Sequence, residues 1–118
     1  MNSYIVKASY LGDSFLPNVF FEQRVEKFVD GCKKIYDDYM SLVYPNKTKE
    51  EFKVIQGINF YSVARINHEH IVHCSLDVSN GDIIVMKNLF DSSRRVIGNI
   101  FDDDLGLSNM SAFGYKCH

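Results

Sequence analysis

Several features that mark particular protein classes are missing from this chain of 118 residues. No run of about 18 apolar residues is present, which argues against a membrane-spanning helix and predicts no membrane partner. The start, Met1-Asn2-Ser3, carries no basic residue, and Lys7 and Asp13 interrupt the apolar residues that follow, so no secretory signal is indicated. We therefore expect a soluble intracellular protein.

The cysteine count and the charge narrow the classes further. The three cysteines, Cys32, Cys74 and Cys117, are odd in number and far apart, which argues against a disulfide framework and predicts reduced, mostly structural thiols. The formal net charge of −2 lacks the basic excess of a dedicated nucleic-acid binder, although a local basic patch remains open.

Motifs of the well-marked enzyme classes are also missing. The chain has no Walker loop, Rossmann glycine fingerprint, His-Glu-x-x-His or Gly-x-Ser-x-Gly. An enzyme is therefore not indicated, although this class stays open, and we expect no cofactor and no metal. The length of 118 residues predicts a single domain over residues 1–118, and the apolar share of 46% is ordinary for a globular protein.

The strongest periodic pattern predicts one long amphipathic helix. Asn18 is a suitable N-cap, and Pro45-Asn46 should end the helix because a proline pushes the preceding residue out of the α region. Gly31 indicates either a close contact with the sheet or simple tolerance, and charged residues that include Arg24 and Lys27 occupy the opposite side. The stripe could also form a homodimer seam, but its aromatic residues and short length favour packing on the protein's own sheet. Apolar residues recur at alternating spacings of four and three: Phe21, Val25, Phe28, Cys32, Ile35, Tyr39 and Leu42.

Alternating, β-prone residues predict one antiparallel sheet. We expect strands over residues 3–10 and 52–66, a short helical turn at the capping box Thr48-Lys49-Glu50-Glu51, and a turn at 67–69. The predicted class is α+β: an antiparallel three- to four-stranded sheet, a meander with an Asn-Gly hairpin, packed on one long amphipathic helix.

The hairpin at Asn80-Gly81 is the clearest local prediction, because this pair tolerates the positive φ angles of a type I′ turn. We expect Ser79 to face Asp82 across the turn. His73 then points to the opposite, mixed face of the sheet. In this register the core face consists of Val72, Cys74, Leu76, Val78, Ile83 and Val85.

The densest group of metal-ligating residue types is His68, His70, His73 and Cys74. On a strand the first two histidines could share a face, but His73 would not, so a polar turn with one solvent-face histidine is the simpler interpretation. Cys74 falls on the predicted core face, where a buried thiol stays protonated and inert. Asp102-Asp103-Asp104 could contribute to a divalent-cation site, but a solvated turn is more typical of such a run.

The best local candidate for anion binding is Ser92-Ser93-Arg94-Arg95, since hydroxyls beside guanidinium groups can hold phosphates. Tyr61 and Arg65, on the predicted exposed face of their strand, would extend it into a basic and aromatic surface for a partner protein or single-stranded nucleic acid. The alternative is a surface network in which the two arginines pair with Asp91 and the run of three aspartates. The predicted binding residues are Arg94, Arg95, Lys87, Tyr61 and Arg65.

Two glycine motifs carry a resemblance to a known group. Gly81-Asp82-Ile83, followed by Gly98-Asn99-Ile100-Phe101 and by Phe113-Gly114, resembles the C-terminal pattern of small uncharacterised bacteriophage proteins, with Asp77 at its acidic position. The resemblance implies a phage origin, a shared fold and a place in the host cytoplasm, but no function that needs a strongly basic segment. Four positions depart from the pattern: Val85, Leu89, Ser92 and Ile97 stand in place of Lys, Trp, Pro and Arg.

Three functions follow as hypotheses. The first is a small non-enzymatic phage accessory protein that binds a host or phage protein and inhibits a host protein or defence complex. The alternative is a nucleic-acid-binding module that uses Arg94 and Arg95. A second alternative is a small hydrolase or nucleotide-binding protein that uses His70, His73 or the acidic run.

Overall fold

The structure, a computed structural model, describes residues 3–8, 10–12, 15–86 and 94–115. In this part of the chain a long helix packs against a six-stranded sheet, so the predicted α+β class is confirmed. Among the described residues, no helix combines the length and the apolar character needed to cross a membrane. The elements in chain order are β1 (Ile5–Lys7), α1 (Val19–Val43), β2 (Glu51–Gln56), β3 (Phe60–Ile66), β4 (His70–Asp77), β5 (Asp82–Met86), β6 (Arg94–Asn99), a 3-10 turn (Leu107–Asn109), β7 (Met110–Ser111) and β8 (Gly114–Tyr115).

The large sheet has the strand order β1-β2-β3-β4-β5-β6. β1 runs parallel to β2, with α1 between them in the chain, and the other neighbours are antiparallel. The sheet has more strands than predicted because the 52–66 region turns at Gly57-Ile58-Asn59 into β2 and β3, and because β6 joins the far edge. Glycine and asparagine are residues that suit such a turn. Of the strand predicted over 3–10, the described residues Ile5–Lys7 form β1, and the Tyr4 carbonyl also accepts from the Val54 N–H at 2.9 Å.

Helix α1 begins as predicted, because Asn18 has an extended conformation and its Oδ1 accepts a hydrogen bond from the Phe21 N–H at 3.1 Å. It ends before Pro45, also as predicted. The buried stripe differs in the second half, where Leu42 is 84% exposed instead of buried. An α-helix has 3.6 residues per turn, so a strict seven-residue repeat drifts around it. The buried residues are Phe21, Val25, Phe28, Val29, Cys32, Tyr36 and Met40.

Gly31, in the middle of α1, allows a close contact, but with the 3-10 turn rather than with the sheet. A Cβ atom at Gly31 would collide with the side chain of Leu107 in the 3-10 turn. The small residue therefore lets the chain segment after β6 approach the helix closely.

The hairpin between β4 and β5 is in the expected place but has another register. Leu76 pairs with Ile83, and the loop has four residues, closed by a 2.7 Å hydrogen bond from the Gly81 N–H to the Asp77 carbonyl. Gly81 has φ +81°, whereas Asn80 does not have a positive φ, so the predicted type I′ turn is wrong. Side chains stabilise the longer loop, because the Asp77 carboxylate accepts from the Ser79 N–H and hydroxyl at 2.8 and 2.6 Å.

A β-bulge in β4 changes which residues are buried. The pairing passes from Val63–Cys74 to Ala64–Val72, so His73 is an extra residue in its strand. The bulge reverses the alternation on one side of it. His73 is therefore buried and Val72 is 65% exposed, and both predicted orientations are wrong. The other predicted core residues of the hairpin are buried, except Val78, which is partly buried against the core.

The predicted helical turn at residues 48–51 is absent from the structure, which has no helix there. Instead, the Glu50 carboxylate forms an ion pair with Arg65, with 2.7 Å between Oε1 and Nη1. The Glu50 backbone N–H donates to the Tyr36 hydroxyl at 2.9 Å. These tertiary contacts replace the local bonds of a capping box and lead the chain directly into β2.

Candidate functional site

Two residues of the predicted binding surface lie in the interior. Tyr61 is 1% exposed, and its hydroxyl donates to Glu22 at 2.5 Å. Its ring meets the Phe21 ring edge-to-face at 4.9 Å. Burial, followed by the hydrogen bond to Glu22, raises the pKa of Tyr61 well above its usual value. The prediction that Tyr61 lies on an exposed strand face is therefore wrong.

Arg65 is 5% exposed, so its predicted exposure is also wrong. Its Nη1 forms the ion pair with Glu50, its Nε donates to the Nδ1 of His73 at 3.1 Å, and its guanidinium lies 5.2 Å from the centre of the Phe113 ring. A carboxylate, an imidazole and an aromatic ring thus surround this cation on the inner face of β3. We call Glu50, Arg65, His73 and Phe113 the Arg65 cluster.

His73 is neutral in this cluster. Burial, and then the charge of Arg65, lowers the pKa of His73 to about 4. Because Arg65 donates to Nδ1, the ring proton lies on Nε2, which is buried and has no hydrogen-bond partner among the described residues. His68 and His70 are exposed. In the described ranges no three side chains of metal-ligating type converge.

The rest of the predicted surface is described only in part. Lys87, Asp91 and the side chain of Arg94 lie outside the described residues, and Arg95 has an exposed side chain on β6. The binding role of these residues therefore stays a prediction. Cys117 also lies outside the described part.

The two described cysteines are buried free thiols. Burial raises the pKa of Cys32 to about 12, and burial together with the nearby Cys32 raises the pKa of Cys74 well above its usual value. The predicted burial of Cys74 on the core face is confirmed.

A groove of about 440 Å³ lies beside the first half of α1, where no binding residue was predicted. One wall is the helix and the other is the turn that follows β6. Phe20 is 78% exposed and Phe101 is 48% exposed, so two large apolar side chains face solvent. We call this groove the Arg24 groove. Its lining residues are Phe20, Gln23, Arg24, Lys27, Phe101 and Asp103.

Arg24 is held in a fixed orientation within this groove. Its Nε donates to the carbonyl of Ile100 and its Nη2 to the carbonyl of Asp102, each at 2.8 Å. Its guanidinium lies 5.9 Å from the centre of the Phe101 ring. Both acceptors are neutral carbonyls, so these bonds orient the cation without cancelling its charge. The guanidinium has five N–H groups, and among the described residues only these two acceptors bind them.

The turn that carries Phe101 is built by the two glycine motifs of the sequence. The Asn99 amide donates to the Asn80 carbonyl at 2.9 Å and to the Asp82 carboxylate at 3.0 Å, and the Ile100 N–H donates to the Gly81 carbonyl at 3.0 Å. The Phe101 ring lies over Gly81, where a Cβ atom would be 2.5 Å from the ring. The motifs therefore form one unit that positions a wall of the Arg24 groove.

The run Asp102-Asp103-Asp104 forms an exposed turn, so the predicted solvated turn is confirmed. The Asp104 carboxylate accepts from the backbone N–H groups of Gly106 and Ser108 at 2.8 and 3.2 Å. Hydrogen bonds to Ser108 and then to Gly106 lower the pKa of Asp104. Asp104 thus stabilises the loop.

The opposite flank of α1 is acidic. Glu26 accepts from the Ser3 hydroxyl and from the Tyr4 N–H, and Asp30 accepts from the Tyr4 hydroxyl at 2.5 Å. Burial, and then the bond to Asp30, raises the pKa of Tyr4 to about 12. These donors are neutral, as are the Tyr61 and Gln56 side chains that bind Glu22. The first half of the helix therefore has an anionic flank beside β1 and a cationic flank at the Arg24 groove.

Sequence reasoning placed Arg24 and Lys27 on the polar side of α1 and found no role for them. One local feature could have drawn attention to this surface: Phe20 is an aromatic residue outside the apolar stripe. The contact of Arg24 with residues 76 and 78 positions away has no local sign. No family model, curated protein or solved structure matches this chain.

Proposed function

We propose that this protein is a small accessory protein that acts by binding another protein through the Arg24 groove. The observation that carries the proposal is a fixed guanidinium in a groove that two exposed phenylalanines, Phe20 and Phe101, also line. Aromatic residues and arginine are the residue types that contribute most to protein interfaces.

The energetics of the groove suit association. Full burial of a phenylalanine side chain stabilises a complex by roughly 1.5 to 3 kcal/mol. Arg24 is already ordered by two hydrogen bonds, so little side-chain entropy is lost when a partner binds it. Both effects favour the same occupant, a protein segment that covers the rings and reaches the cation.

In this proposal the partner is a protein of the cell that a phage infects. Binding inhibits that protein or a defence complex to which it belongs. The resemblance to small phage proteins supports this choice. Its motif residues, Gly81 and Gly98 to Phe101, are also the residues that build one wall of the groove.

Capture from host-cell lysate with tagged protein and three matched variants tests the proposal. Phe20→Ala and Phe101→Ala should each lose the partner that the unaltered chain retains. Leu42→Ala, which removes an apolar side chain about as exposed as Phe20 from the far end of α1, should retain the partner.

Nuclease treatment of the same lysate separates protein binding from nucleic-acid binding. A partner that survives nuclease and depends on Phe20 supports the proposal. Recovery that ends with nuclease, or that depends on Arg94 and Arg95 but not on Phe20, would favour the nucleic-acid-binding alternative.

A further inference from the structure

Resting on the proposed function, we infer that the Arg24 groove recognises an acidic segment of its partner. A carboxylate of the segment binds Arg24 and Lys27, and an apolar side chain next to that carboxylate lies between Phe20 and Phe101.

Within the described part of the chain, the two hydrogen bonds of Arg24 occupy one edge of its guanidinium. Nε and Nη2 are the two nitrogens on the side of the guanidinium, and they donate to the carbonyls of Ile100 and Asp102. The end of the group, formed by Nη1 and the second N–H of Nη2, has no partner among the described residues. Two parallel N–H groups of this kind match the two oxygens of a carboxylate.

A second cation lies one turn along the helix. Lys27 is exposed and lines the same groove, and within the described ranges it has no hydrogen bond or ion pair. Residues three apart on a helix are neighbours on its surface, so Arg24 and Lys27 can face one anionic group. Neither charge is neutralised by a carboxylate within 4 Å among the described residues.

The charged residues of the groove favour an anionic occupant, because Arg24 and Lys27 outnumber Asp103 in its described lining. Since the proposed partner is a protein, the anion is the carboxylate of an aspartate or glutamate side chain. The exposed rings of Phe20 and Phe101 supply the apolar half of the recognition.

Titration of the full chain, labelled with ¹⁵N, with two blocked peptides tests the inference. The probe has the sequence Leu-Glu-Glu-Phe, and its control has the sequence Leu-Gln-Gln-Phe. The glutamate peptide should shift the amide signals of Phe20, Arg24, Lys27 and Phe101 at millimolar concentration. The glutamine peptide should bind about tenfold more weakly, because it lacks the charge-assisted hydrogen bonds.

Substitutions on α1 then test which residues bind the glutamate peptide. Arg24→Gln and Lys27→Glu should each weaken the glutamate peptide, and Lys34→Gln, at an exposed position farther along α1, should not. Arg24→Gln also removes bonds to the turn, so Lys27→Glu serves as the variant that leaves those bonds intact. Added salt should weaken the glutamate peptide and leave the glutamine peptide unchanged.

Three results would overturn the inference: equal affinity for the two peptides, shifts that map away from the groove, or the absence of any shift at millimolar peptide. Tighter binding of an oligothymidine at the same amides would overturn it in favour of nucleic acid. If Phe20→Ala abolishes capture of a protein partner but the two peptides behave alike, this inference fails and the proposed function stands. If the glutamate peptide binds and capture does not depend on Phe20, the proposed function fails instead.

Discussion

Arg24 and Arg65 are two arginines with the same kind of aromatic neighbour and opposite surroundings. Arg65 is buried, pairs with Glu50 and His73, and lies near the Phe113 ring. Arg24 is half-buried, binds two backbone carbonyls and no carboxylate among the described residues, and lies near the Phe101 ring. The first cation is neutralised inside the fold, whereas the second is oriented and keeps its charge. The comparison teaches that the partner of an arginine, more than the arginine itself, separates a structural site from a binding site.

The largest effect should come from breaking the Arg65 cluster. Arg65→Ala leaves the buried His73 and the partly buried Glu50 without their partner, and such a loss lowers the free energy of unfolding by about 4 kcal/mol. Arg24→Ala, which loses two bonds to carbonyls at a half-buried position, should lower it by about 1 kcal/mol. Urea unfolding of both variants measures the difference. Similar losses would contradict the division between a structural and a binding arginine.

The second-largest effect should come from lowering the pH, which should reduce the stability that the Arg65 cluster gives to the fold. The pKa of His73 falls from its ordinary 6.5 to about 4 in the folded chain, so between these pH values the unfolded chain binds the proton more readily. The stability that His73 contributes is therefore fully present above about pH 6.5 and falls by about 3 kcal/mol as the pH drops to about 4. His73→Gln keeps an acceptor for Arg65 and does not titrate there. The difference between the two stability curves should change across this window, and a constant difference would contradict the prediction.

Gly81→Ala should act on the Arg24 groove rather than on the Arg65 cluster. The residue has φ +81°, and its new Cβ would meet the Phe101 ring, so we expect a loss of about 2 kcal/mol in the free energy of unfolding. The ring must also move away from Arg24. Amide signals of the variant should change at Phe101 and Arg24 and remain unchanged at Arg65. Changes of equal size at both sites would count against separate units.

The two half-exposed phenylalanines offer a matched pair. Phe113 is 49% exposed and also meets the rings of Tyr36 and Tyr39, at 6.0 and 5.3 Å, whereas Phe101 is 48% exposed. Phe113→Ala should lower the free energy of unfolding by about 1 kcal/mol through these ring contacts. It should leave capture of the partner unchanged, whereas Phe101→Ala should reduce capture. Thermal unfolding and capture of both variants check the pair, and a reversed result would refute the assignment of the two rings.

The smallest effect on stability should come from Phe20→Ala. The side chain is 78% exposed, so the free energy of unfolding should change by less than about 0.5 kcal/mol. Capture of the partner should nevertheless be lost. A large loss of stability would mean that Phe20 supports the fold rather than the interface.

The sequence was informative where structure depends on neighbouring residues. The N-cap at Asn18, the helix end before Pro45 and the place of the β4–β5 turn all follow from local chemistry, and the structure has each of them. The α+β class followed from hydrophobic periodicity. Tertiary contacts decided the rest of the fold. The bulge at His73 exchanges the buried and exposed positions on one side of it in β4, and no residue type in that strand predicts a bulge.

The sequence did not predict the candidate site either, because tertiary contacts between distant segments build it. Tyr61 and Arg65 lie in an alternating pattern that predicts exposed side chains. In the fold, the Tyr61 hydroxyl donates to Glu22 and Arg65 pairs with Glu50, and both acceptors come from distant segments of the chain. Arg24 looked like an ordinary polar residue of a helix. Only the fold brings it to the turn at Ile100, and a single sequence contains no sign of that contact.

The contact between Arg24 and the turn after β6 makes the proposed surface a conformational epitope. Arg24 is 76 and 78 positions away from Ile100 and Asp102, the residues whose carbonyls it binds. A peptide copied from α1 would therefore carry the phenylalanine and the cation but not their arrangement. A partner that reads this arrangement distinguishes the folded chain from its fragments. By mass action, the same partner also holds the chain in its native state.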